Sequence, residues 1–315
     1  MRGDFSMGIK NFIFNNIEKV FIFANKYNKS DEILMLLSRE QIERNILKNE
    51  IKSLKDVEFK AYSQFGEDGI IFWLINRIPI KNRTFVEFGV EDYTEANTRL
   101  LLQLENWNGF IIDGNKKNID AIKKNISFYW KYSINAVNEF ITKENINSLL
   151  HKSGFDYDLG LLSIDIDGND YWILDAIEMY KPRILICEYN AIFGNKEKVT
   201  VPYKEDFVKN KEHFSSLYFG ASLPAIIFAA KKKGYSFVGT CSNGVNAFFI
   251  RNDLIEYIPK NLINTPIIYE CKFRSALDRN GKLLFKGIEA KNLIDELYVF
   301  DIENSTMKMI KEIKY

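Results

Sequence analysis

TFVEFGVEDYTEANTRLLLQLENWNGFIID, residues 84–113, contains the unit from which this chain is built: an apolar run ending in an acidic residue and a glycine, a helical stretch from about Thr94, and a second apolar run ending in Asp113. A strand, a helix and another strand in that order require a crossover, and crossovers join parallel neighbours. The unit recurs toward the C-terminus. After a helix from about Asn115 comes YSINAV at 132–137, then a helix near Asn145, LGLLSIDID at 159–167, a helix near Tyr171 and RILICEYN at 183–190. An interruption and a helix ending in KKKGY at 231–235 precede SFVGT at 236–240 and NAFFIR at 246–251. Only Cys241 to Val245 separate the last two runs, enough for a hairpin and too little for a crossover, so the final strand is expected to be antiparallel. The continuous apolar character of LLSID and RILIC suits central strands buried on both faces. The pattern predicts an α/β fold around a mainly parallel seven-stranded sheet.

Both flanks are different in kind. Residues 1–60 mix charges with Ile33, Leu36, Leu37, Ile46, Leu47, Ile51 and Leu54, and Ser30 stands ready to cap a helix. These helices either cover the main domain or pair two subunits as a homodimer. At the other end, residues 267–287 read as a hairpin around Arg279-Asn280-Gly281, and ELYVFDI at 296–302 as a further strand. The expected organisation is a helical extension at 1–60, a domain at 61–254 with a substrate lid at 191–218, and a small β accessory element at 255–315.

Composition bounds the function. Lys plus Arg number 43 against 42 Asp plus Glu, a net charge of +1, so no bulk basic field selects nucleic acid. A hydrophobic share of 46% supports a packed core. Cys187, Cys241 and Cys271 form no Cys-x-x-Cys, which argues against a disulfide framework or structural zinc and suits the cytoplasm. Asn15, Asn16, Glu18, Lys19 and Asn25 break up the apolar start, so neither a signal core nor membrane insertion is expected.

Open parallel sheets bind ligands beyond the carboxyl ends of their strands. Here those ends are acidic: Glu87-Phe88-Gly89, Asp113-Gly114, Asp165-Ile166-Asp167-Gly168-Asn169-Asp170 and Glu188-Tyr189-Asn190. A dinucleotide needs a Gly-x-Gly-x-x-Gly turn for its pyrophosphate, whereas Gly89 is followed by Val90, Glu91, Asp92, Tyr93, Thr94 and Glu95, whose carboxylates would repel phosphate. No Gly-x-x-x-x-Gly-Lys-Ser/Thr phosphate loop occurs either. The carboxylates better suit an adenosine-bearing cofactor that carries positive charge and no phosphate, as S-adenosylmethionine (SAM) does. An EF-hand from Asp165 fails because Asp170 replaces glycine at its sixth position and Ala176 replaces glutamate at its twelfth.

FVEFG at 85–89 resembles the first motif of class I SAM-dependent methyltransferases, a family with a Rossmann-like fold. By that resemblance Glu87 faces the methionine amino end and Gly89 lets the backbone approach the cofactor. Asp113, 26 residues after Glu87, falls where the family binds both ribose hydroxyls. SQFGEDGII at 63–71, LSIDIDGNDYW at 162–172, CEYNAIFG at 187–194, YFGASL at 218–223 and GVNAFFIRNDL at 244–254 further resemble bacterial sugar O-methyltransferases of the FkbM-type, capsule-biosynthesis group. On the same resemblance Gln64 and Asn138 join the cofactor set.

The activity so implied is SAM-dependent O-methylation of a sugar hydroxyl, with a nucleotide-linked sugar of bacterial capsule or surface glycan as the small-molecule partner. Two alternatives stand beside it: another small acceptor such as a phosphoramidate or amine, and a non-catalytic carbohydrate-binding protein on the same fold. Methyl transfer must align a hydroxyl and remove its proton. A free Asp, with a pKa of about 3.9, is a feeble base for that hydroxyl unless burial or a metal helps. The resemblance implies Mg or Mn, held by Asp165 and Glu188 with Asn190 assisting, while Asp167 takes the proton. His213, in the long 191–218 interval, is the reserve base; His151 ends a predicted helix. Tyr203, Phe207, Phe214 and Tyr218 either stack on the substrate or hold the lid down. Lys231-Lys232-Lys233 reads as the charged end of a helix.

Overall fold

The computed structural model describes residues 51–124, 131–264, 275–285 and 288–314, with residues 37 and 40 besides. The chain divides into two units, 1–47 and 48–315, and every strand of the described residues belongs to the second. Apart from Leu37 and Glu40, the helical extension expected before residue 51, with its subunit-pairing role, lies outside the described residues.

Strands β1 (Thr84–Phe88), β2 (Asn108–Asp113), β3 (Ile134–Asn138), β4 (Leu161–Ile164) and β5 (Ile184–Glu188) alternate with helices α1 (Glu67–Arg77), α2 (Arg99–Gln103), α3 (Lys116–Lys124), α4 (Ile146–Lys152) and α5 (Asp170–Ala176). The two-residue β6 (Val199–Thr200) belongs to another sheet; α6 (Lys209–Glu212) and α7 (Leu223–Lys232) follow, then β7 (Tyr235–Thr240) and β8 (Asn246–Arg251). The main sheet has seven strands in the order β3-β2-β1-β4-β5-β8-β7. β1 to β5 pair in parallel, and β8 runs antiparallel to both β5 and β7. This is the architecture expected from the sequence, antiparallel final strand included. Because the chain leaves β1 toward β2 and β3 and returns to β4 on the other side, the connections diverge between β1 and β4. A crevice opens there, at the carboxyl edge.

Register decides which side chains share a face, since laterally paired residues point the same way and successive ones point oppositely. Val86, Phe88, Ile112, Leu162, Ile164, Leu185 and Phe249 fill one face, where Leu149 of α4, Ile173 and Leu174 of α5 and Ile226 of α7 cover them. The intervening residues take the other face. Glu87 pairs with Ile111 and Ser163, and Ser163 with Ile186. Two residues further along each strand, Asp113, Asp165 and Glu188 extend the same row, and Asn246 of β8 stands opposite Glu188.

The tail is joined to the 191–218 interval. β9 (Ser275–Leu277) and β10 (Leu283–Phe285) make the expected hairpin, closed by Asp278 and Lys282. β11 (Tyr298–Asp301) pairs with β12 (Thr306–Met309) on one side and with β6 on the other, all antiparallel. Val199, Val201, Phe207, Leu217 and Phe219 therefore share a second core with Ala276, Val299, Ile310 and Ile313. Trp172 of α5 fastens this core to the main domain, donating its Nε1–H to the Val201 carbonyl (2.9 Å) and packing its ring 5.4 Å from that of Phe300. What the sequence presents as a lid and a separate appendage is thus one packed layer. Among the described residues no helix is long and apolar enough to cross a membrane.

Candidate functional site

A cavity of about 980 Å³ occupies the crevice at the carboxyl edge. Glu87, Gly89, Asp113, Phe140, Asp165, Asp167, Glu188 and Asn246 form its wall, together with Gln64 before α1 and Phe207 and Lys209 from the braced interval. Volumes up to about 1,000 Å³ are usual for small-molecule sites. A smaller cavity of about 390 Å³ lies beside α5 and α7. Its polar groups serve the protein itself: Lys233 Nζ donates to the Asp175 and Ile177 carbonyls and the Tyr235 hydroxyl to that of Pro182.

On the expected cofactor side, Glu87 is engaged within the protein. One carboxylate oxygen accepts from the Asn97 N–H (2.8 Å), and the other accepts from the N–H (3.1 Å) and hydroxyl (2.5 Å) of Thr98. These bonds fix the loop between β1 and α2. Burial pushes the Glu87 carboxyl up to about 7 against the pull of those donors, with Asp68 adding repulsion. Gly89 answers a protein constraint first. Its φ is +71°, and a Cβ there would stand 1.6 Å from the Asp165 carbonyl oxygen, so only glycine lets the β1 and β4 ends cross.

Asp113 accepts from the Glu91 N–H (2.9 Å) through one oxygen and from the Asn115 N–H (2.7 Å) and Asn118 amide (3.2 Å) through the other. Asn138 stands outside the cavity wall; its amide donates to the Asp113 carbonyl (2.9 Å) and steadies that strand end. Gln64 does line the cavity, on a loop shaped by Asp68. One Asp68 oxygen accepts from the N–H groups of Ala61 (2.8 Å), Tyr62 (2.7 Å) and Ser63 (2.7 Å). Burial nevertheless raises the Asp68 carboxyl, those donors opposing it.

Carboxylate oxygens of Asp165, Asp167 and Glu188 lie within 4.8 Å of one another. Alternation along a strand would send Asp165 and Asp167 the same way only while the strand continued, and β4 ends at Ile164. Asp170 makes the turn that keeps both in the cavity, since its two oxygens accept from the Ile166 (2.9 Å) and Gly168 (3.0 Å) N–H groups. The left-handed φ of +55° at Asp167 belongs to the same turn, a conformation Asp adopts more readily than most residues. Burial pushes Asp170 up to about 6 despite those bonds. Asp165 is raised well above the carboxylate range, by burial first and then by the charge of Glu188, with which it shares a hydrogen bond. Asp167 is half exposed and ion-paired to Lys209, whose ammonium also lies 4.3 Å from the Phe219 ring centroid.

Two expected residues do other work. Asn190 is not with the carboxylates: the chain turns after Glu188, and the Asn190 amide donates to the Leu217 and Phe219 carbonyls (both 2.9 Å) while its Oδ1 accepts from the Ile192 N–H (3.1 Å). It anchors the braced interval to β5. His213 lies outside the cavity wall, with Nδ1 2.7 Å from the Ser215 hydroxyl and its ring against Phe214. Partial burial and the nearby Arg279 charge lower its basicity. Of the four aromatics, Phe207 reaches the cavity; Tyr203 donates to Glu144 and Tyr218 to the Tyr298 carbonyl (2.5 Å each), which fits bracing. Sequence reasoning missed Lys209, Asn246 and Asp170. Asp170 left a signal as the last acidic residue of the quoted DIDGND turn and Asn246 as the first residue of the quoted NAFFIR run, whereas Lys209 left none.

No protein-family model matches the chain, and no curated protein matches it. Among solved structures it is similar to magnesium protoporphyrin IX methyltransferase (ChlM) from Synechocystis PCC 6803 with bound SAH, at 10% identity and a TM-score of 0.38 over 59% of this chain and 81% of that one. A S-adenosylmethionine-dependent methyltransferase from Clostridium acetobutylicum ATCC 824 gives 11% identity and a TM-score of 0.38 over 59% and 90%. The N-terminal domain of EvdMO1 with SAH bound gives 9% and 0.36 over 67% and 94%. Overlap this partial carries no functional argument; the strand order and the cavity residues carry it.

Proposed function

We propose that this chain is a SAM-dependent O-methyltransferase that methylates a sugar hydroxyl, on a nucleotide-linked sugar of bacterial capsule or surface-glycan assembly. The observation that carries the proposal is the convergence, at one sheet edge and around one large cavity, of Glu87, Asp113, Asp165, Asp167 and Glu188 from the ends of four strands that are neighbours in the sheet. Carboxyl groups gathered in this way suit a cationic cofactor without phosphate.

The wall fits that cofactor in parts. Asp113 would accept a ribose hydroxyl, because a carboxylate has about four acceptor sites and three are engaged here, which leaves one. Phe140, 44% exposed and beside Gly114, offers an aromatic face for the adenine. Gln64 and Glu91 also line the cavity. A divalent cation fits Asp165 and Glu188 as hard oxygen ligands, with Asp167 clustered beside them, and when bound it would acidify the acceptor hydroxyl.

The chain's own residues supply alignment and proton transfer. Asp167 receives the hydroxyl proton, and Lys209 is ion-paired to it at the cavity wall. Asp165 and Glu188 hold the oxygen-ligand end, and Phe207 with the braced interval shields the acceptor from water. The test is a screen of nucleotide sugars with SAM, detecting a 14-dalton mass gain on the acceptor, on the native chain and on Asp167→Asn. Methylation lowered by roughly 10²–10⁴-fold in the variant, with SAM affinity kept, supports the assignment. No methylated product from any nucleotide sugar, or equal rates in both proteins, removes it.

A further inference from the structure

Only one of the two polar atoms of the Asn246 side chain has a hydrogen-bond partner within the protein. Its Nδ2 donates to Glu67 Oε1 on α1 (3.1 Å), which fixes which end of the amide is which. Its Oδ1 is buried without a hydrogen-bond partner, although the residue is 3% exposed and belongs to the cavity wall. A buried carbonyl oxygen left unpaired is costly and demands a reason.

Register supplies one. Asn246 stands directly opposite Glu188 across the β5–β8 ladder. The next pair carries a ladder bond from the Tyr189 N–H to the Val245 carbonyl (2.9 Å), so Glu188 and Asn246 form the closer, non-hydrogen-bonded type of antiparallel pair, with side chains adjacent on one face. That face is the one holding Asp165 and Asp167. An amide oxygen adds a ligand there without adding a fourth negative charge to three carboxylates that already repel one another.

We infer that Asn246 Oδ1 is a neutral oxygen ligand completing, with Asp165 and Glu188, a site for a hard divalent cation beside Asp167. The inference rests on the cation reading of the cavity and replaces Asn190 by a residue from the antiparallel strand. Glu67 is its positioning residue, holding the amide so that oxygen faces the carboxylates.

Mn²⁺ binding to the full chain, followed by electron paramagnetic resonance of the free ion, tests it without any acceptor; SAH is titrated calorimetrically on the same preparations. Asn246→Leu should weaken Mn²⁺ by about tenfold or more while SAH affinity stays within about twofold. The double variant Glu67→Gln with Asn246→Asp reverses donor and acceptor, keeps the total charge, and moves a carboxylate to the cation side. It should bind Mn²⁺ at least as tightly as the native chain, and it decides the matter if the leucine variant does not fold. Native Mn²⁺ affinity in Asn246→Leu, or weakened affinity in the swapped pair, overturns the inference. A native chain that binds SAH and no Mn²⁺ also overturns it and leaves the methyltransferase reading standing. Mn²⁺ binding without SAH binding would remove that reading and leave Asn246 to be judged by its variants.

Discussion

Replacing Glu87 by Gln should change how stability depends on pH, by an amount that follows from the structure. The carboxyl is fully buried, and burial moves it from 4.5 to about 7 on folding. A carboxyl raised on folding holds its proton more tightly in the native state. Its stabilising contribution is therefore full below about 4.5, declines as pH rises, and is gone once pH passes about 7. Integrated between about pH 5 and pH 8, that shift amounts to about 2.5 kcal/mol of stability lost by the native chain. Gln cannot titrate. It also places an NH₂ among the N–H donors of Asn97 and Thr98, which costs about 1–2 kcal/mol at every pH. Urea unfolding of both proteins across this range separates the two effects, because titrating groups that do not interact with Glu87 cancel in the difference. The variant should be less stable at pH 5, draw level as pH rises, and be more stable than the native chain by pH 8, because the loss of about 2.5 kcal/mol exceeds the fixed cost. Parallel stability curves would refute the reasoning and show that Glu87 keeps an ordinary carboxylate's proton affinity inside the fold.

Gly89→Ala should cost at least about 3 kcal/mol in denaturant unfolding, since it combines a left-handed backbone with a Cβ driven into the Asp165 carbonyl; a smaller loss would mean the two strand ends are not held in contact. Asp113→Ala should weaken SAM and SAH together by about 2–3 kcal/mol in calorimetry, and unchanged affinity for both would remove the ribose assignment. Val299→Asp places a charge in the second core at a fully buried position, so limited proteolysis should open the 191–218 interval while far-ultraviolet circular dichroism keeps the signal of the main sheet; simultaneous loss of both would mean the two layers fold as one.

The seven strands, their mainly parallel order and the antiparallel final strand were all legible in the chain. Apolar run lengths report burial on both faces, and connection lengths report whether a crossover is possible. The acidic strand ends were legible too, because a strand's last residues are adjacent in sequence whatever the sheet does. Glu87, Gly89, Asp113, Asp165, Asp167 and Glu188 were all marked in this way, and all line the cavity.

What the chain alone left undecided depends on lateral and long-range contact. Val199–Thr200 is too short to read as a strand and finds its partner in β11, about a hundred residues later, so the union of the 191–218 interval with the tail has no local signature. Asn190 lies two residues from Glu188 and so looks like its companion, yet the chain turns between them and spends the amide on backbone carbonyls. Asn246 lies 58 residues from Glu188 and becomes its neighbour only because β8 enters the sheet antiparallel in that register. Sequence spacing fixes which residues end a strand; the pairing of strands fixes which of those ends meet, because lateral neighbours are set by hydrogen-bond register and packing.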